Sequence, residues 1–398
     1  NVFCTCRLSC LQICCAESAV FAHSELTERG RHMYKILASM AATFLLSLAL
    51  TPLIRGLALK IGAVDNPNAR RVNKVPMPTM GGLAIFIAFN IANFALLRNQ
   101  YPSDQIWPLF AAEVLIILTG IIDDIYELKP RQKMFGILLA SLVVYFAAGI
   151  RMTTLTIPFV GTVQLGWLSL PITLLWIAAI TNAVNLIDGL DGLACGVAII
   201  ALTTSAVTGY FFLNVTNTFV SIMMFTMVAA LAGFLPYNFH PAKIYLGDTG
   251  SLFIGFMISV FSLYGLKNAT FITIIIPVII LGVPITDTVY AILRRKLNNR
   301  PISQADKHHL HHRLMQMGLS HTQTVLVIYG IALIFSCISL LYSFSNLWGS
   351  LLLTVATLFG LEIFVEVIGL VGDTRQPLLN FIRNLVLKLS GSESKKNK

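Results

Sequence analysis

Charge is scarce in this sequence. Only 12% of its 398 residues are Asp, Glu, Lys or Arg, about half the roughly 25% of a soluble domain. No polar stretch is long enough to fold as a soluble domain beside the rest. Acidic residues are the scarcer sign, 18 against 28 Lys and Arg. Cysteine is nearly confined to one place: Cys4, Cys6, Cys10, Cys14 and Cys15 are five of the seven. Their spacing matches no zinc or thioredoxin pattern. Ionisable groups are also almost missing from the apolar runs, where Glu113, Glu362 and Glu366 occur besides Lys35 and Asp287 near run ends. Transporters place charge near the bilayer midplane. Three unmatched glutamates therefore speak against an anionic-lipid transporter or flippase.

What is present is apolar sequence, 56% of the residues, at a mean hydropathy of +0.77. The runs are about 20 residues long, enough to cross the hydrocarbon as helices. They predict an all-α polytopic integral membrane protein with about eleven transmembrane helices. The limits are near 34–54, 80–97, 107–122, 134–150, 168–184, 193–213, 217–235, 250–266, 269–290, 322–343 and 347–370. The segment from Arg151 to Gly166 alternates around Pro158 and Gly161 and suggests a hairpin outside the membrane. One set of connections carries 21 Lys and Arg and the opposite set carries 3. The positive-inside rule then puts the amino terminus outside and the carboxyl terminus in the cytoplasm. Arg29, Arg31 and Lys35 dissent, being basic on the outer side. The net charge of +10 thus has a membrane explanation, and no nucleic-acid partner is expected. Three parts follow: an extension without its own fold at 1–32, a membrane domain at 33–371, and a basic cytoplasmic tail at 372–398.

The basic side also collects the polar motifs. Asn182-Ala-Val-Asn-Leu-Ile-Asp-Gly-Leu-Asp-Gly192 follows the apolar run Leu170–Ile180. A carboxylate at the bilayer centre costs roughly 2.5–3.5 kcal/mol, so this cluster belongs at an interface or in a wet cavity. Read alone, its Asp-Gly pairs are equally well turn chemistry. Asp123-Asp124 closes the third run. Adjacent carboxylates repel by up to about 4 kcal/mol at 4 Å and an effective dielectric of 20, a cost that a divalent cation removes. Asp248, in Leu246-Gly-Asp-Thr-Gly-Ser251, reads either as a helix N-cap or as a carboxylate on Mg²⁺ beside a phosphate-binding helix terminus. Asp287 and Arg294 share one helix face, as a salt bridge or as substrate contacts. His308-His-Leu-His-His-Arg313 has histidine spacings able to bind zinc, the basis of a zinc-hydrolase reading. Lys307 and Arg313 disfavour a cation there, and a cradle for an anion fits better. Four or more carboxylates beside a cationic rim point to Mg²⁺ bridging a diphosphate.

These residues resemble the polyprenyl-phosphate N-acetylhexosamine-1-phosphate transferases. The matching stretches are Pro76-Met-Pro-Thr-Met-Gly-Gly82, Asp123-Asp124, Asn185-Leu-Ile-Asp-Gly-Leu-Asp-Gly192, Leu246–Ser251 and His308–Arg313. They run in family order over most of residues 34–321, and the eleven-span count agrees. The His-Leu-His-His-Arg form resembles the branch using UDP-N-acetylglucosamine, which starts teichoic-acid or O-antigen-type polysaccharides. It differs from the phospho-N-acetylmuramoyl-pentapeptide transferases of peptidoglycan synthesis, the alternative within the family.

The resemblance implies transfer of N-acetylglucosamine-1-phosphate from UDP-N-acetylglucosamine to undecaprenyl phosphate, releasing UMP. It implies Mg²⁺, with Mn²⁺ as a substitute, and a multi-pass protein of the plasma or inner membrane with a cytoplasmic active site. It is compatible with a homodimer. Asp123, Asp124, Asp188, Asp191 and Asp248 resemble the catalytic set, with Asp123, Asp124, Asp188 and Asp248 at the metal. The implied substrate-binding residues are Lys74, Asn185, His308, His309, His311, His312 and Arg313, to which Asp287 and Arg294 add candidates from their place in the chain.

Overall fold

The computed structural model describes residues 34–65, 76–98, 103–157, 160–212, 218–265, 269–297, 299, 309–370 and 376–389. The extension at 1–32 lies outside the described residues, as do Lys74 and His308. The described chain is almost entirely helical. In order come α1 (Tyr34–Ile61), α2 (Gly81–Ile91), α3 (Ser103–Tyr126), α4 (Pro130–Phe146), α5 (Ser169–Ile187), α6 (Leu193–Val207) and α7 (Thr218–Asn238). Then follow α8 (Gly247–Gly265), α9 (Phe271–Ile280), α10 (Gly282–Leu297), α11 (Leu310–Gln316), α12 (His321–Phe344), α13 (Leu347–Ile368) and α14 (Pro377–Leu389).

Eight of these, α1, α3, α5, α6, α7, α8, α12 and α13, are long and apolar enough to cross a membrane. The other three expected runs coincide with shorter elements. The run at 80–97 becomes α2 plus a π-helical turn, Ala92–Leu96. The run at 134–150 becomes the 17-residue α4. The run at 269–290 is not one helix but two, α9 and α10. Pro284 lacks the N–H that would bond back four residues, which weakens the helix at that join. α10 then continues past the apolar limit to Leu297, carrying Arg294 and Arg295 with it.

Two small sheets flank the helices. β1 (Val64–Asp65) pairs antiparallel with β2 (Met77–Pro78). β3 (Thr154–Ile157) pairs antiparallel with β4 (Gly161–Gln164), Leu155 opposite Val163, where a hairpin was expected. β5 (Ala269–Thr270) adds to β3 in parallel.

α8 is the most enclosed helix, with Leu252, Phe253, Ile254, Phe256, Met257 and Val260 all shielded from solvent. It packs on α5, α3 and α2. Small residues allow the backbones to approach where helices cross. A Cβ on Gly82 would strike the Gly250 backbone, and one on Gly120 would strike the Thr249 backbone. Peripheral helices instead present large apolar side chains outward, among them Leu45, Leu53, Leu175, Ile334, Leu352 and Leu358. Lipid is the medium that suits such a surface.

Candidate active site

The carboxyl-terminal ends of α3, α5 and α7 and the amino-terminal ends of α4, α8 and α12 come together at one end of the bundle. Their side chains are tied by direct bonds. Asp124 Oδ1 accepts the Asp248 N–H at 2.9 Å. Its Oδ2 accepts the Thr249 N–H at 3.0 Å and the Thr249 hydroxyl at 2.6 Å. Asp124 is therefore the cap of α8, reached across from α3. It satisfies orphan N–H groups and puts negative charge at the positive end of the helix dipole. Gly247 makes this possible. Its φ is +73°, and a Cβ there would press on Asp124 Oδ2 and Oδ1 at 2.5 and 2.8 Å. The segment before it is tied to α2, whose Gly81 and Gly82 N–H groups donate to Tyr245 O and Leu246 O, each at 3.0 Å.

Next to this cap lies a chain of charge. Asp123 is buried, and its Oδ1 accepts the Leu128 N–H at 2.7 Å. The Lys133 ammonium bridges Asp123 Oδ2 at 2.5 Å and Asp248 Oδ1 at 2.8 Å. Asn185 donates to the same Asp248 oxygen at 2.5 Å and to Ser251 Oγ at 2.8 Å. Asp188, just past α5, faces the same group. Burial first, then the charges of Asp248, Asp124 and Asp191, pushes its pKa well above the usual carboxylate range. The local balance is four carboxylates against one ammonium. An all-oxygen, over-negative donor set suits a hard divalent cation, and Lys133 already shows that a cation is stabilised between Asp123 and Asp248. The residues present thus fit Mg²⁺.

Asp191 sits in a neighbouring knot. Its Oδ2 accepts from His240 Nδ1 at 2.8 Å and from the Ala242 N–H at 3.2 Å, and its own N–H donates to His321 Nε2 at 3.0 Å. Gly192 is held on both sides, by Asn238 Oδ1 at 3.1 Å and the Tyr329 hydroxyl at 2.6 Å. Asp191, His240 and His321 also have donor atoms within 4.8 Å of one another, close enough for a transition metal. Their hydrogen bonds to each other and to the backbone already account for this arrangement. It pins the turn that carries Asp188.

The histidine segment reaches the site through α11. A Cβ on Gly189 would strike the His311 ring at 2.5 Å, so this ring lies directly over the turn after Asp188. His311 is buried, and burial, then the neighbouring His312, lowers its pKa to about 3. It is a neutral imidazole at every physiological pH. His309 is buried with its Nδ1 on Asp287 Oδ2 at 2.9 Å, and Asp287 Oδ1 accepts the Leu310 N–H at 2.8 Å. Asp287 thus anchors α11 to α10. His312 stacks obliquely on His311, centroids 4.2 Å apart. The two arginines go elsewhere. Arg313 donates to Gly369 O at 2.7 Å and Arg294 to Leu370 O, so both cover the carboxyl end of α13.

Sequence reasoning passed over Lys133, counting it only as positive-inside charge. The clue was its place at the start of the run that returns from Asp123-Asp124, ten residues later. Thr249, Ser251, His240 and His321 were also passed over. Each is ordinary alone and becomes informative only by its partner. The three glutamates inside helices have local duties. Asn90 donates to Glu113 at 2.7 Å, Tyr290 donates to Glu362 at 2.5 Å, and Glu366 accepts the Leu378 and Leu379 N–H groups at 2.8 and 2.7 Å.

A helical membrane protein with a carboxylate–lysine cluster at the helix ends has the makings of an enzyme that handles a diphosphate at the bilayer surface. Residues 106–266 match the family model described as glycosyl transferase family 4. A Bacillus subtilis protein described as a probable undecaprenyl-phosphate N-acetylglucosaminyl 1-phosphate transferase is 44% identical over 356 residues, 89% of this chain and 98% of that protein. A decaprenyl-phosphate N-acetylglucosaminephosphotransferase of Mycolicibacterium smegmatis is 36% identical over 304 residues, 69% of this chain and 74% of that protein. A phospho-N-acetylmuramoyl-pentapeptide-transferase of Clostridium beijerinckii is 32% identical over 313 residues, 74% and 92% respectively. The chain belongs to the polyprenyl-phosphate hexosamine-1-phosphate transferases of glycosyl transferase family 4.

Proposed function

We propose that this enzyme transfers N-acetylglucosamine-1-phosphate from UDP-N-acetylglucosamine to undecaprenyl phosphate. The products are undecaprenyl-diphospho-N-acetylglucosamine and UMP. The observation that carries the reading is the Asp123–Lys133–Asp248–Asn185 chain, built from four helix ends beside the Asp188 turn. The N-acetylglucosamine donor follows from the names of the B. subtilis and M. smegmatis relatives and from His309–Arg313. The reaction would be the first membrane step of a teichoic-acid or O-antigen-type polysaccharide.

The enzyme would sit in the plasma or inner membrane with eleven crossings, amino terminus outside and carboxyl terminus inside. Its active site would open to the cytoplasm, where the donor is found. Mg²⁺, with Mn²⁺ as a substitute, would be held by Asp248, Asp123 and Asp188, and it supplies charge neutralisation of the diphosphate. Asp124 fixes the backbone of Asp248 and so the direction of that carboxylate. A phosphate oxygen of the lipid attacks the β-phosphorus of the donor, the bond to the α-phosphate oxygen breaks, and UMP leaves. The lipid phosphate has a second pKa near 6, so it arrives largely ionised and positioning matters more than proton removal. Lys133 is placed to share charge with the transferring phosphoryl group. His311, being neutral, offers a hydrogen bond without adding charge.

The test uses purified protein with undecaprenyl phosphate, Mg²⁺ and either radiolabelled UDP-N-acetylglucosamine or UDP-N-acetylmuramoyl-pentapeptide. UMP release with the first donor only is expected, lost in Asp248→Asn while the protein still inserts. Turnover with the second donor alone would assign the enzyme to the peptidoglycan branch.

A further inference from the structure

The basic tail contains a helix that the transferase reaction does not use. α14 is joined to the end of α13 by a compact set of bonds. α13 stops at Gly369, in the left-handed region at φ +71°. The buried Glu366 carboxylate then accepts the Leu378 and Leu379 N–H groups, and Gln376 Nε2 donates to Glu366 O at 3.1 Å. Arg313 and Arg294 hold Gly369 O and Leu370 O. This junction fixes the first turn of α14 at the level where α13 leaves the membrane. Beyond it the helix is open. Leu378, Leu379 and Ile382 are half-buried, whereas Phe381 and Val386 are 64% and 55% exposed. Asn380, Arg383 and Asn384 are exposed as well, at positions that wind away from Leu378 and Ile382. Arg383 and Lys388 are the only ionisable residues of α14, and residues 376–398 hold five basic residues against Glu393 alone.

We infer that α14 lies along the membrane surface at the active-site end of the bundle and binds anionic lipid headgroups. Its open apolar residues enter the acyl boundary, and Arg383 meets the phosphates. A one-sided helix with cations and no acid suits an anionic interface, and its anchor on a membrane-spanning helix keeps it there. Acid-free basic sequence is also poorly matched to a protein surface of like charge, such as a second copy of this +10 chain.

The experiment is hydrogen exchange of the full-length enzyme in nanodiscs holding one copy each, of phosphatidylcholine alone or with phosphatidylglycerol. Amides of 378–389 should exchange at least fivefold more slowly in the anionic discs. Arg383→Glu with Lys388→Glu should remove that difference, and Phe381→Asp should speed exchange in both lipids. UMP release from UDP-N-acetylglucosamine, measured alongside, reports whether each variant is folded. Equal exchange in neutral and anionic discs would overturn the inference, as would a lipid response that survives the double charge reversal. Protection that appears only in discs holding two copies would assign the face to a second copy and overturn it too. None of these outcomes depends on which sugar the enzyme transfers.

Discussion

Lys133 and His311 are the residues on which the chemistry of the site turns most sharply. Removing the ammonium by Lys133→Met leaves Asp123 and Asp248 facing each other without their bridge. Loss of one preorganised charge of this kind costs about 10²–10³ in rate, so UMP release should fall by that order while the protein stays folded by thermal melting. His311 gives a pH signature. Its pKa is about 3 when folded against an ordinary 6.5, so between those values the unfolded chain binds the extra proton. Stability then falls as pH drops through 6.5 toward 3, with a slope of up to about 1.4 kcal/mol per pH unit. Melting temperatures from pH 7 to pH 4 should fall less steeply in His311→Gln than in the parent. The acidic residues were visible in the sequence because aspartate is rare at the end of an apolar run. The lysine was not, because a lysine there is what the positive-inside rule expects anyway. Arg294 and Arg313 share that ambiguity, since a basic residue suits an anionic substrate and a helix carboxyl end equally well.

Between elements, the position of Asp248 depends on how closely α8 approaches α2 and α3. Gly120 faces the Thr249 backbone and Gly82 faces Gly250. Gly120→Val should push α3 from α8, pull Asp124 off the α8 amino terminus, and cost about 1–3 kcal/mol in overpacking. The expected result is a lower melting temperature and a loss of UMP release larger than the stability change accounts for. Gly189→Ala probes a second joint. It should displace the His311 ring and lower activity while leaving the melting temperature nearly unchanged, since the turn is at the edge of the core. Long apolar runs revealed where α1, α3, α12 and α13 lie, because length and composition suffice for a span. They did not reveal the break between α9 and α10, nor α14. Pro284 is one residue within a continuous apolar stretch, and α14 has too many polar positions to register as a run.

At the scale of the whole molecule, two ends of one bundle divide the labour. One end holds the carboxylates, Lys133 and the α11 histidines, and the other holds the β3–β4 hairpin. Chain direction makes this so. α3, α5 and α7 arrive at the active-site end, α4, α8 and α12 depart from it, and each turn deposits its motif at the same level. That alternation was legible in the ordering of motifs and apolar runs. The contacts between motifs were not, because Asp124 with Thr249 and His311 with Gly189 are more than a hundred residues apart in the chain. The central claim is that this polar end faces the cytoplasm, where a nucleotide sugar can reach it. Single cysteines at Glu127, Met317 and Val160, in a chain whose own seven cysteines are replaced, test it directly in oriented vesicles with an impermeant thiol reagent. Labelling of 127 and 317 from the cytoplasmic side only, and of 160 from the opposite side only, is the expected result. Labelling of 127 and 317 from opposite sides would contradict it, since no single reaction centre could then contain both.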